Sequence, residues 1–310
     1  MEFGVLGPLE VTHDDREVEI SAGRHRALLA ALLLRANQVV STEKLAGRIW
    51  DDRPPRDSRA TTQTYVRRLR SALGDGLVDT RPGGYLISVT PEQLDLARFD
   101  HLLQQARQTN QPEQEAGLLA EALRLWRGPA LTNVPSDALH RDEVPALTER
   151  RLWAVERRVD LDLLAGRQDG LVSELRGLVS EHPLRERFWA QLMTALVGSG
   201  RPAEALQAYE ALRHRLGEEL GTDPGTELRD LHRAILRGNP VPATPVAPEP
   251  VPAKPVPARP IPPAQLPPDV SAFTGRAAAL RQLDGWLPAE PDRTNAVVVA
   301  AIEGTAGIGK

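Results

Sequence analysis

Apolar residues along positions 1–90 change their spacing twice. The opening stretch carries short apolar runs, Phe3–Leu9, Glu10–Thr12 and Val18–Ile20, separated by Gly-Pro and by a polar His13-Asp-Asp-Arg16 turn. Runs of that length bounded by turn residues predict strands. The spacing then lengthens to that of amphipathic helices, predicted over 22–36, 42–50 and 58–73. A short two-stranded element follows, Leu77–Thr80 and Tyr85–Val89, with Pro82-Gly83-Gly84 at its turn. The order βββ–ααα–ββ predicts an α+β winged helix over residues 1–93.

Residues 94–238 are almost purely helical in period, with helices expected over 95–108, 113–126, 140–166, 169–181, 185–199, 202–217 and 224–237. Arg127-Gly-Pro129, Gly166–Gly170, His182-Pro183, Gly198-Ser-Gly200 and Gly221–Gly225 punctuate them. Pro202 and Pro224 are each expected in a first helical turn, where the missing amide is no loss. Arg185–Arg215 has the helix–glycine–helix cadence of a tetratricopeptide-like repeat, so an all-α, solenoid-like second domain is expected. Its aromatics, Trp126, Trp153, Phe188, Trp189 and Tyr209, fall at helical spacing and are expected in the core rather than on a binding surface.

Between Pro240 and Pro268 lie 13 of the 27 prolines. That density fixes φ and removes amide donors, so residues 239–269 are expected to form a semi-rigid polyproline-like linker. Beyond it, residues 270–310 read as the start of a further α/β domain. The apolar run Ala296–Ile302 predicts a strand, and Gly304-Thr-Ala-Gly307-Ile-Gly309-Lys310 follows it. This fits a phosphate-binding loop up to its lysine, whose amides would cradle phosphates and whose Lys310 would reach the β and γ oxygens. The Ser or Thr that would hold Mg²⁺ is not in the sequence. The expectation is therefore an incomplete nucleotide-binding site at Gly304, Gly307, Gly309 and Lys310. ATP and Mg²⁺ are expected for a longer parent protein, with no cofactor and no hydrolysis for this chain.

Composition narrows the classes further. Cysteine is absent, which excludes disulfides and thiolate metal sites and suits a cytoplasmic protein. None of the seven histidines pairs with another at metal-ligand spacing, and no nucleophile has an evident base, so an enzyme is not expected. The apolar run 27–34 after Arg24-His-Arg26 is preceded by strand-like sequence and is too short to span a bilayer. It predicts a buried helix and no membrane partner. The net charge is −4, yet Arg53, Arg56, Arg59, Arg67, Arg68, Arg70 and Arg81 crowd one stretch against Asp57, Asp75 and Asp79. Local sign decides contact with phosphate.

On a helical wheel of Ser58–Leu73, one side carries Thr62, Tyr65, Val66, Leu69 and Leu73 and is expected to pack inward. The opposite side carries Ala60, Gln63, Thr64, Arg67 and Ser71, flanked by Arg68. A polar helix face is by default merely solvated. Here arginine and small polar groups fill it without an acidic interruption, and a glycine-rich hairpin follows. In a major groove small residues permit close approach, and arginine can bond guanine bidentately. At the hairpin tip Arg81 is either an ordinary loop arginine or a minor-groove probe, with Thr80 and Tyr85 beside it as phosphate contacts. Arg24, His25 and Arg26, at the start of the first helix, are candidate phosphate anchors.

These residues resemble a known family. TYVRRLRSALG (64–74) and TRPGGYLI (80–87) are similar to the winged helix of OmpR-type response regulators. The Leu94–Asp100 opening and the run 202–236 resemble the bacterial transcriptional activation domain of Streptomyces antibiotic regulatory proteins. With a proline linker and a P-loop behind, the layout is similar to the large AfsR-like members of that family. The resemblance implies a transcriptional activator that binds direct repeats near the −35 region of promoters of secondary-metabolite genes. It implies recruitment of RNA polymerase with its housekeeping σ factor, and a dimer or tandem protomers on DNA. It also implies base readout by Thr64, Arg67 and Arg68 and a wing contact by Arg81. The alternatives left open are an ATP-switched signalling NTPase and a tetratricopeptide-like protein-binding scaffold.

Overall fold

A computed structural model describes residues 1–239 apart from Asp52, Asp75 and Asp169. The proline-rich segment from 240 and the expected phosphate-loop residues Gly304, Gly307, Gly309 and Lys310 lie outside the described residues.

The chain opens with an antiparallel three-stranded sheet of β1 (Glu2–Gly4), β2 (Glu10–His13) and β3 (Arg16–Glu17). Asp14 and Asp15 form the two-residue turn between β2 and β3 at φ 50° and 60°, a conformation aspartate tolerates better than most residues. The third strand therefore lies earlier than expected. Register set by His13↔Arg16 and Thr12↔Glu17 closes the ladder before Val18–Ile20, and only the Val18 amide continues it, to the Val11 carbonyl at 2.8 Å.

Next come α1 (Gly23–Leu33), β4 (Val40–Ser41), α2 (Thr42–Trp50) and α3 (Ser58–Leu73), followed by β5 (Val78–Arg81) and β6 (Gly84–Ile87). The apolar run of α1 is buried, as its sequence predicts. The wing is three-stranded, in the order β4-β6-β5, because β4 pairs with the inner edge of β6. Gly84 permits that approach: a Cβ there would meet the Val40 carbonyl oxygen at 2.1 Å.

A single 3-10 turn (Pro91–Gln93) leads into the helical part. Its elements are α4 (Asp95–Gln108), α5 (Pro112–Arg124), α6 (Asp137–Asp142), α7 (Val144–Leu164), α8 (Leu171–Glu181), α9 (Glu186–Gly198), α10 (Pro202–Leu220) and α11 (Thr226–Leu236). The expected helix over 140–166 is broken at Glu143. Pro145 cannot donate to the Arg141 carbonyl, so it starts α7 instead of extending α6. Pro202 occupies a first turn as expected. Pro224 does not: it precedes Gly225, the N-cap of α11. The five aromatics expected in the core are all buried.

Two hydrophobic cores divide these elements, and neither ends at residue 93. The first joins Leu28, Leu32 and Leu69 of the winged helix to Phe99, Leu103, Trp126, Leu131 and Leu139 of the helical part. The second packs α8 to α11 around Leu175, Phe188, Met193 and Leu212. Helix α7 serves both, presenting Trp153, Ala154 and Leu161 to the first and Leu152, Val155 and Val159 to the second.

The seam is also hydrogen-bonded. The buried Asp95 carboxylate accepts from the Val5 and Leu6 amides at 2.9 Å and from the Arg127 guanidinium at 3.1 Å. Burial, the larger effect, holds its pKa above the usual carboxylate value, although the two amides and Arg127 pull it down. Asn133 pairs with Leu9 in both directions, at 2.7 and 3.1 Å. Beside it, the Leu131 amide donates to the Gly7 carbonyl at 2.6 Å.

Candidate nucleic-acid interface

Helix α3 begins where Asp57 caps it, its carboxylate accepting from the Ala60 amide at 2.8 Å. It ends at Gly74, whose φ of 89° breaks the helix. Thr62, Val66, Leu69 and Leu73 form its buried stripe. Tyr65 is half-buried, edge-on to His25 with ring centroids 4.8 Å apart and tilted against Trp50 at 5.7 Å. The outward face carries exposed Arg59, Ala60, Gln63, Arg67, Arg68 and Ser71, with Thr64 half-exposed. The Thr64 and Ser71 hydroxyls donate to the carbonyls of Ala60 and Arg67, at 3.1 and 3.2 Å. Their protons are thus engaged in the helix, and their lone pairs are what they offer a partner.

The wing stands beside this face. Pro82 presets the turn and Gly83 adopts φ 81°, which leaves Arg81 exposed next to Asp79 at 3.0 Å. Thr80 is exposed too, but its hydroxyl accepts from Arg70 at 2.9 Å. Arg70, one of the seven arginines of the basic stretch, ties α3 to the wing. Its Nε donates to the Val78 carbonyl at 2.8 Å, so one guanidinium sets the angle between helix and hairpin. The signal was its angular position, one turn after buried Val66 on the flank of the apolar stripe.

Two expectations need correction. Tyr85 is 6% exposed and belongs to the core, because β6 is the middle strand of its sheet rather than half of a free hairpin; it is not a phosphate contact. Arg26 is not a phosphate anchor either. Its guanidinium donates to the carbonyls of Ile20, Ser21 and Asn133 at 2.8 to 3.0 Å, which fastens the start of α1 to the helical part. Arg24 remains exposed at the first turn of α1. Between the two, His25 has its pKa lowered, first by burial and then by the Arg68 charge.

The electrostatics of the face are one-sided. Arg24, Arg53, Arg56, Arg59, Arg67 and Arg68 are exposed, and none pairs with a carboxylate among the described residues. Asp57 is turned to its own helix terminus. The helical part behaves differently: Arg157 pairs with Glu115, Arg158 with Asp162, Arg187 with Asp160 and Arg185 with Glu149. No group of described side chains could hold a metal ion, and no described helix is long and apolar enough to cross a membrane.

Comparison with known proteins follows the same division. Residues 15–87 match the family of transcriptional regulatory proteins, C terminal, and residues 94–236 match the bacterial transcriptional activator domain. Over 317 residues the chain is 39% identical to regulatory protein AfsR of Streptomyces coelicolor, covering 100% of this chain and 31% of that protein. It is 36% identical to regulatory protein DnrI of Streptomyces peucetius, covering 77% of this chain and 93% of the relative. A solved structure of Mycobacterium tuberculosis EmbR in complex with a low-affinity phosphopeptide superposes with a TM-score of 0.74 at 34% identity, over 78% of this chain and 66% of that one. The chain thus spans about a third of the length of AfsR.

Proposed function

The chain belongs to the Streptomyces antibiotic regulatory protein family of transcriptional activators, and on that premise we propose that it reads promoter DNA through α3 and the wing. Helix α3 enters the major groove, where Gln63, Thr64, Arg67, Arg68 and Ser71 meet base edges and flanking phosphates. Arg81 exchanges Asp79 for the narrow minor groove beside it, and Thr80 lies next to that contact. Arg24, Arg53, Arg56 and Arg59 hold the phosphate backbone on either side, a sequence-independent contribution that fixes register. Two protomers occupy direct repeats about one helical turn apart near the −35 region. From there the helical domain meets the neighbouring protomer and RNA polymerase with its housekeeping σ factor. The target genes are those of secondary metabolism, and the site of action is the cytoplasmic nucleoid. In this reading the chain acts as a binding module rather than as an enzyme.

The observation that carries the reading is the arginine face of α3, which pairs with no carboxylate among the described residues, whereas the described arginines of the helical part are largely matched with carboxylates. Such a face is electrostatically incomplete until a polyanion meets it. Footprinting of the chain on promoter DNA, with Arg68→Ala and Arg81→Ala alongside, tests it. The expected result is a protected stretch spanning two repeats, lost in Arg68→Ala. The binding constant should fall with salt at a slope of about −0.9 per phosphate neutralised. Protection unaffected by either substitution would refute the assignment.

A further inference from the structure

The helical part grips the winged helix at one point from which α3 can be steered. That point is the C-terminal end of α2. Asp51, its C-cap, has φ 51° and ψ −122°, a backbone that only glycine adopts without strain. The aspartate is retained there with a specific partner: its Oδ1 accepts from the Ala138 amide at 2.5 Å. One turn earlier, the hydroxyl of buried Ser136 donates to the Arg48 carbonyl at 2.6 Å and accepts from the Leu139 amide at 3.1 Å. A single oxygen therefore caps the start of α6 and the end of α2 together. The Arg48 side chain completes the clasp, donating to the Ala138 carbonyl at 3.1 Å, to Asp142 at 2.5 Å and to Glu143 at 2.8 Å. Arg35, in the turn just after α1, meets the same Glu143 carboxylate at 3.1 Å.

From this clasp the contact continues into the reading helix. Trp50 precedes Asp51 and packs on Tyr65 of α3, which follows Thr64 directly and lies near Arg68. The path is contiguous, from Ser136 and Ala138 through Asp51 and Trp50 to Tyr65. A strained residue held in place by a bond from another domain is the arrangement expected where one element sets the position of a second.

We propose that Asp51, seated on α6 and supported by Ser136 and Arg48, is a positioning residue for DNA reading: it sets where α3 stands relative to the helical domain and touches no DNA itself. The inference rests on the reading that α3 contacts DNA. It makes α6 the element through which events in the helical domain reach the groove.

The test compares Asp51→Gly with Asp51→Asn in the full chain. The glycine variant relieves the backbone and removes the acceptor. The asparagine variant keeps an acceptor for the Ala138 amide and a side chain of the same shape on the same backbone. The probe is a duplex selected by the wild-type chain from a random-sequence pool. Asp51→Gly should keep or raise Tm while weakening affinity about tenfold, within the span of couplings carried by packed networks. It should also speed amide exchange in the first turns of α3, with or without DNA. Asp51→Asn should match the wild type in all three measurements. The proposal is overturned if Asp51→Gly binds as tightly as the wild type, if its exchange is unchanged, or if its loss of affinity merely follows a loss of Tm. Arg68→Ala runs in parallel. If the wild type selects no sequence, or if Arg68→Ala binds as well, the DNA reading of α3 is what fails, and the exchange measurement still decides the role of Asp51.

Discussion

Asp95→Ala is the sharpest perturbation of the joint between the two domains. The wild-type carboxylate accepts from two main-chain amides, those of Val5 and Leu6, both 0% exposed. Neither amide has a strand partner, because β1 ends at Gly4. Alanine leaves both donors buried without an acceptor, at a cost of about 1–3 kcal/mol each. Arg127 loses a partner too. It is one-third exposed and keeps Glu10 at 3.1 Å and the Pro8 carbonyl at 3.2 Å, so its share is small. The two amides together cost about 2–6 kcal/mol, and the range for removing one partner from a buried charge pair, about 3–5 kcal/mol, falls inside it and sets the expected loss.

For a chain of this size each kcal/mol moves Tm by about 2–4 °C, so Asp95→Ala should melt about 6–20 °C lower, by calorimetry or by circular dichroism. Asp95→Asn retains one acceptor and turns an amide donor toward a second donor, so an intermediate loss of about 1–3 kcal/mol is expected. Arg127→Met leaves the buried carboxylate without its cation but with both amides, so an intermediate loss of about 1–3 kcal/mol is expected there too. A Tm for Asp95→Ala within about 2 °C of the wild type, below what 1 kcal/mol would shift, would refute the reasoning. It would mean that the Val5 and Leu6 amides find other partners and that the carboxylate is not the joint.

Three further outcomes are expected. Arg70→Met removes the bonds from α3 to the Val78 carbonyl and to Thr80; it should lower stability by about 1–2 kcal/mol yet leave the salt slope of DNA binding unchanged, whereas Arg67→Ala should reduce that slope by about one phosphate. Titration calorimetry or fluorescence anisotropy over a salt series separates the two. His25 has a depressed pKa in the fold, so its contribution is present above its unfolded value of about 6.5 and is lost as pH falls through the lower folded value. His25→Asn should flatten that acid-side loss in urea midpoints collected between neutral and acidic pH, and an unchanged profile would exclude His25 as its source. A fragment of residues 1–93 should fail to fold cooperatively, because Phe99, Leu103, Trp126, Leu131 and Leu139 complete the core around Leu28 and Leu32. A sharp melting transition for that fragment would refute the shared core.

What was legible in the sequence follows the range of the interactions involved. Helices α2 and α3 match their predicted ends because their caps are local: the Ser41 hydroxyl accepts from the Lys44 amide at 3.2 Å, and Asp57 caps α3 three residues on. The buried stripe of α3 and the exposure of Gln63, Arg67, Arg68 and Ser71 follow from helical period alone. Strand β4 was not legible, since two residues form a strand only against a distant partner, Val40 with Tyr85 and Ser41 with Gly84. Without β4 the pattern leaves β6 as half of a free hairpin and Tyr85 at the phosphates, whereas β6 is a middle strand and Tyr85 a core residue. Arg26 was misplaced for a similar reason, because one of its three acceptors, the Asn133 carbonyl, comes from a loop far along the chain.

The division between domains shows the limit of period most clearly. A change from mixed to purely helical spacing near residue 94 is real and coincides with the boundary between the two matched families. Yet period reports which face of an element is buried, never what it is buried against. The residues that join the two parts are polar or strained ones that a hydrophobic pattern passes over: Asp51, Asp95, Asn133 and Ser136. Each satisfies a main-chain group of the other part, as groups at a buried seam must. Sliding at a seam with its main-chain groups so engaged would break those hydrogen bonds, which ties the placement of α3 to the helical domain. The consequence for activation is physical: a partner that shifts α6 by even part of a hydrogen-bond length must either break the clasp on α2 or carry α3 with it.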